Sequence, residues 1–227
     1  MSVYLHGLST ALPPYCLTQT EVRERAAIIF GGKYPQFERL SKSFATAGID
    51  RRYSVVPIDW FSDEHGWVDR NVAFIKGAKA MFLEAANAAL KDAGWRSDEV
   101  DCVVTVSSTG IATPTLEAQV FSDMGFRSDI MRVPLFGLGC AGGVTGLSVA
   151  RTLANGQLGS KVLLVVIETC SLSFRADRLQ KADIIATALF GDGSAAACLS
   201  SELPVGRAAV AFGEGYQKIW PDTLAIM

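Results

Sequence analysis

Apolar positions along this chain fall into two rhythms that alternate. Short β-branched runs predict strands at residues 3–8, 100–106, 129–136, 161–167, 194–199 and 207–212. Between them, apolar residues recurring near i, i+3 and i+4 predict helices at 18–29, 37–47, 71–93, 115–124, 143–153 and 177–188. Thr18 or Thr20 stands where an N-cap is wanted, and Gly94 stands where the longest helix should stop. The run 161–167 is continuously apolar, as in a strand buried on both faces. Asp50-Arg51-Arg52-Tyr53 reads as a charged loop. Strands alternating with helices predict a layered α/β fold with a largely parallel central sheet. The best candidate linker is 200–204.

Composition narrows the function classes. Hydrophobic residues make up 49% of the 227 and charged residues 19%, enough for a sizeable core and too apolar for disorder. A net charge of −2 without a basic stripe argues against nucleic acid as a partner. The five cysteines are widely spaced, with no CxxC pair, and there are only two histidines, His6 and His65. That pattern predicts reduced thiols in a cytoplasmic protein, with no disulfide frame and no metal site. Residues 1–14 lack the basic start and apolar stretch of a signal peptide. The longest strongly apolar run, 162–167, is too short to span a bilayer.

Cys140 is the strongest candidate for chemistry. An apolar run ends in glycines around it and gives way to a predicted helix. Unpaired N–H groups and the macrodipole at a helix N-terminus favour a thiolate, which is the nucleophilic form. Gly139, Gly142 and Gly143 are expected to clear side chains from the sulfur so that a substrate carbonyl can approach.

Three segments together carry a family resemblance: Phe136-Gly137-Leu138-Gly139-Cys140-Ala141-Gly142-Gly143, Leu189-Phe190-Gly191-Asp192-Gly193-Ser194-Ala195-Ala196, and Asp50-Arg51-Arg52-Tyr53. They resemble the type III polyketide synthases, the chalcone and stilbene synthase-like family of the thiolase superfamily. The resemblance implies a thiolase-like αβαβα layered fold, with residues 1–202 forming the N-terminal half and 203–227 the start of the second half. It implies iterative decarboxylative condensation of malonyl-CoA onto an acyl-CoA starter. The substrates are then CoA thioesters, with no further cofactor, and the assembly is a homodimer. A bacterial flavour of the segment around Cys170 leans the expected products towards alkylpyrones or alkylresorcinols.

Residue by residue, the resemblance makes Cys140 the nucleophile, with its backbone N–H as an oxyanion donor, and Phe190 the gatekeeper between CoA tunnel and cavity. Ser108, Thr113, Cys170 and Ser173 match cavity positions. Arg39 and Lys42 match two cationic positions that meet the CoA phosphates, and Thr46 replaces a third. Asp192 is expected to be a turn residue in left-handed geometry. The family completes its catalytic set with a His and an Asn from the C-terminal half. Neither His6 nor His65 stands in a matching context, so both are expected to be structural or solvated, and residues 224–227 do not read as a finished terminus. Two alternatives stand beside this reading. One is a β-ketoacyl-carrier-protein synthase III-like condensing enzyme. The other is a non-catalytic N-terminal fragment.

Overall fold

The computed structural model describes residues 2–175 and 180–223. The chain opens with β1 (Val3–Ala11), a short strand β2 (Tyr15–Thr18), and helices α1 (Gln19–Phe30) and α2 (Phe37–Thr46). Thr18 caps α1 in a reciprocal capping box with Glu21, the local arrangement its sequence position predicts. Then come β3 (Arg51–Ser54), the long α3 (Trp67–Ala93), β4 (Cys102–Ser107), the short α4 (Leu116–Gln119) and α5 (Phe121–Met124), and β5 (Met131–Phe136). The second part holds α6 (Gly142–Gly156), β6 (Val162–Thr169), α7 (Lys181–Leu189), β7 (Asp192–Ser200) and β8 (Val210–Phe212). The first residues of the helix expected at 177–188 lie outside the described residues, as does the segment 224–227.

Two expectations are corrected. Arg51–Ser54 is a strand, paired antiparallel with β2 from Tyr15↔Ser54 to Thr18↔Arg51, and not a loop. The central sheet is mixed. Its order is β5-β4-β6-β7-β1-β8, and only β4/β5 and β4/β6 are parallel. The pairs β6/β7, β1/β7 and β1/β8 are antiparallel. The continuous apolar run of β6 arises because helices cover both faces of the sheet, which burial pattern alone does not distinguish from an all-parallel arrangement.

One face carries α3, whose residues Phe74, Ala78, Met81, Phe82, Ala85, Ala86, Ala89 and Leu90 are all buried. It joins α1, α2 and α7 in the larger of two apolar clusters. The other face carries α6 over Val104, Val106, Val162 and Leu164. No helix among the described residues is long and apolar enough to cross a membrane.

Candidate active site

The sheet topology gathers the candidate residues at one end. β4 and β5 run parallel with Ser107 opposite Phe136, so both leave the sheet together. β6 runs alongside them, and its last residue, Thr169, lies opposite Asp192 at the start of antiparallel β7. The segments that follow or precede these strand ends carry Ser108, Cys140, Cys170, Ser173 and Phe190.

The turn after β5 is built on glycine. Gly137 and Gly139 have φ of 80° and 53°, a region that side chains rarely occupy. A single 3₁₀ turn, Gly139–Ala141, then leads directly into α6 and leaves Cys140 exposed two residues before the helix begins. The expected role of the flanking glycines is revised. A Cβ on Gly142 would lie 2.8 Å from Val106 Cγ1, and one on Gly146 would lie 2.7 Å from Val106 Cγ2. Gly142 therefore lets α6 settle on the sheet, whereas a Cβ on Gly143 would meet nothing nearer than 4.0 Å.

Ser108 braces the turn that carries Cys140. Its Oγ accepts from Gly139 N–H at 3.0 Å, and its own N–H donates to the Glu168 carboxylate at 2.9 and 3.1 Å. Thr109 Oγ1 donates to Glu168 Oε2 at 2.7 Å and accepts from Thr169 N–H at 2.8 Å. Glu168 thus ties the loop after β4 to the end of β6. Sequence reading missed it, because a glutamate at the end of an apolar strand carries no signal of which loop it will hold.

Cys170 opens the next turn and lines a cleft, whereas Cys140 is not among the residues that line it. Burial pushes its thiol up to about 11, with the Glu168 and Asp192 carboxylates and nearby Cys140 acting in the same direction. The cleft is lined by Cys170, Ser173, Phe174, Phe190, Arg52 and Phe61, among others, with further apolar wall from α1. Phe190 is partly exposed, and Ser173 Oγ donates to Cys170 O at 2.7 Å.

Asp192 is not a left-handed turn residue. It begins β7, is buried, and accepts from Ser171 N–H at 2.7 Å, Ser171 Oγ–H at 2.6 Å and Val55 N–H at 2.8 Å. Burial raises its pKa, and those three donors oppose the rise. Arg52, read as part of a charged loop, is buried as well and reaches the last turn of α7.

The remaining candidates lie apart from the cleft. Thr113 is exposed in the loop between β4 and α4 and does not line it. Arg39 and Lys42 are exposed on α2, with Arg39 donating to Gln36 Oε1 at 2.9 Å. His6 bonds Glu202 O at 3.0 Å and sits 5.0 Å from the Trp95 ring. His65 stacks on Trp60 at 3.7 Å and bonds its carbonyl. Neither histidine lines the cleft.

Comparison with known proteins identifies the family and the fold. Residues 3–203 match the sequence profile of the chalcone and stilbene synthases, N-terminal domain. The chain is 34% identical over 190 residues to a 1,3,6,8-tetrahydroxynaphthalene synthase of Streptomyces peucetius, covering 84% of this chain and 50% of that protein. It is 26% identical to a phloroglucinol synthase of Pseudomonas fluorescens, covering 90% of this chain and 58% of that one. The crystal structure of the tetrahydroxynaphthalene synthase of Streptomyces coelicolor A3(2), a bacterial type III polyketide synthase, superposes with a TM-score of 0.85 at 28% identity. That superposition covers 97% of this chain and 62% of that one. The chain thus spans about half the length of the curated relatives it matches.

Proposed function

Because the chain belongs to the chalcone and stilbene synthase family, we propose that it is the nucleophile-bearing part of a type III polyketide synthase. The observation that carries this reading is the placement of exposed Cys140 on a glycine turn at the mouth of α6, beside the thiol of Cys170, which lines the cleft with Phe190. Cys140 attacks the carbonyl of an acyl-CoA, forming the enzyme thioester and releasing CoA as its thiolate. Malonyl-CoA then loses CO₂, and the resulting enolate attacks the thioester carbon. A C–C bond forms, the C–S bond to Cys140 breaks, and the thiol is regenerated. The Cys140 N–H stabilises the oxyanion of each addition. Phe190 gates the passage, Ser108 and Ser173 shape it, and Arg39 and Lys42 meet the CoA phosphates.

Apolar cleft walls at Leu17, Val22, Ala26, Ile58, Phe61 and Phe174 favour an alkyl starter, and hence alkylpyrone or alkylresorcinol products. In this reading His6 and His65 take no part in the chemistry, because each is engaged away from the cleft. Incubating the full-length protein with acyl-CoA and weighing it intact tests the proposal. The expected result is one acyl group on the peptide containing Cys140 and none in Cys140→Ala. Loading in the alanine variant, or on another cysteine, refutes it.

A further inference from the structure

Two of the motifs that mark this chain in sequence are in contact in space. Helix α7 ends at Leu189, and Phe190 leaves it in extended conformation, with φ −91° and ψ 149°. No left-handed glycine closes this helix, so carbonyls of its last turn need partners from elsewhere. Arg52 supplies them. Its Nη1 donates to Phe190 O at 3.0 Å and also to Thr187 O, and its Nη2 donates to Ala188 O at 2.8 Å and also to Gln19 Oε1. Gln19 Nε2 in turn donates to Ala188 O and to Phe44 O, each at 3.1 Å. Arg52 and Gln19 are both buried, and burial lowers the pKa of the guanidinium. A guanidinium at a helix C-terminus also complements the partial negative charge there.

The close approach continues at the next residue. A Cβ on Gly191 would fall 3.0 Å from Arg52 Cβ and 3.3 Å from Tyr53 O, so any side chain there would have to push β3 back by a few tenths of an ångström from the exit of Phe190. One residue on, Asp192 takes the N–H of Val55. The segments 52–55 and 187–192 therefore form one clasp around the residue that stands at the cleft.

From this we infer that Arg52 and Gln19 are positioning residues that fix the gate: they hold the backbone from which Phe190 projects, and so set which thioesters pass. The inference rests on the proposed role of Phe190 and adds the groups that determine its setting. Phe190 is partly exposed and free of packing on one side, so its direction depends on its own backbone. Loosening the clasp should widen the range of acyl groups accepted without touching the nucleophile.

The test is a double-mutant cycle in the full-length enzyme. Arg52→Lys and Gln19→Leu are each combined with Phe190→Ala. The readout is the ratio of kcat/KM for a long and a short acyl-CoA, which does not depend on the folded fraction. With Phe190 present, each variant should shift that ratio by about threefold or more. With Phe190→Ala the same substitutions should leave it unchanged. Arg51→Gln, an exposed neighbour, should leave the ratio unchanged in both backgrounds. No shift with Phe190 present, or an equal shift in both backgrounds, overturns the inference. If Arg52→Lys does not fold, Gln19→Leu decides.

Failure of the polyketide reading shows itself separately, as a wild-type enzyme that turns over no thioester. Amide exchange then tests the clasp by itself. Faster exchange confined to 187–191 in Gln19→Leu supports it, and uniform or unchanged exchange overturns it.

Discussion

The two faces of the central sheet carry helices that differ in both composition and burial. On one face, α3 buries Phe74, Met81 and Phe82 together with five smaller apolar residues. On the other, α6 buries only Gly142, Gly146, Ala150 and Ala154, a single stripe at intervals of four. Its Val144 is 71% exposed. The contrast separates two jobs. Large side chains on the α3 face hold the sheet. The small stripe on α6 lets the helix approach the strands closely, which brings the Cys140 turn down onto the sheet end. The wider face of α6 that the described residues leave open is a surface that further chain can cover.

Substitution should break this symmetry most strongly at Phe82. It is fully buried, so Phe82→Ala should cost about 3–5 kcal/mol of unfolding free energy. Val144→Ala on the opposite face should change stability by no more than about 0.5 kcal/mol. Urea denaturation of the two variants measures both. Similar losses would mean that α6 is already covered as fully as α3.

Close approach is tested at Gly146. A Cβ there would meet Val106 Cγ2 at 2.7 Å and Leu164 Cδ1 at 2.9 Å. Gly146→Ala should therefore destabilise by about 1–3 kcal/mol through overpacking, less whatever alanine adds in helix propensity. Adding Val106→Ala should recover part of the loss. A stabilised Gly146→Ala would show that the helix has room to spare.

The thiols sharpen the comparison without mutation. Cys198 belongs to the α3-face core and Cys102 to the α6-face core. Burial pushes Cys198 up to about 12 and Cys102 up to about 11, so at pH 8 both should label slowly with iodoacetamide. Exposed Cys140 should label well ahead of either. Between the buried pair, Cys102 should react faster, because the more open face opens more easily. Peptide mass spectrometry gives the order, and Cys198 ahead of Cys102 would reverse the assignment of the weaker face.

What the sequence made legible follows the range of the interactions. The capping box at Thr18 and Glu21 lies within one turn, and the glycine turn at Cys140 within a few residues, so both can be read directly. The pairing direction of β6 and β7 depends on how the chain returns through α7, and the apolar pattern is silent on it. Arg52 was the least legible residue of the site. Its sequence neighbours are charged and polar, whereas its partners are carbonyls at 187, 188 and 190. Backbone acceptors leave no mark in the sequence that would point to it. Asp192 was hidden likewise, since a carboxylate between glycines looks like a turn until Ser171 and Val55 are placed around it.

The smallest expected effect concerns how each helix is pinned at the edge of the sheet. Arg151 on α6 reaches Phe212 O at a long 3.4 Å. At the end of α3, Arg207 donates to Asp92 Oδ1 at 2.8 Å and Asp92 O at 2.7 Å, and to His6 O at 2.6 Å. Hydrogen bonds from Arg207 first, and from Leu8 N–H second, lower the Asp92 pKa from 3.8 to about 2. A carboxyl group depressed in the folded state contributes stability above its unfolded pKa and loses it as pH falls through the folded value. The contribution should therefore be full at pH 5 and fade between about pH 4 and pH 2. The pair is largely open to solvent, so the effect should be modest and should shrink in salt. Urea midpoints across that range should show Arg207→Gln less stable than the parent at pH 5, with the gap narrowing towards pH 2. Arg151→Gln should show no such trend, since no carboxylate among the described residues is paired with it. If the Arg207→Gln curve runs parallel to the parent at every pH, the strap over α3 adds nothing electrostatic, and the stability of that face rests on its apolar core alone.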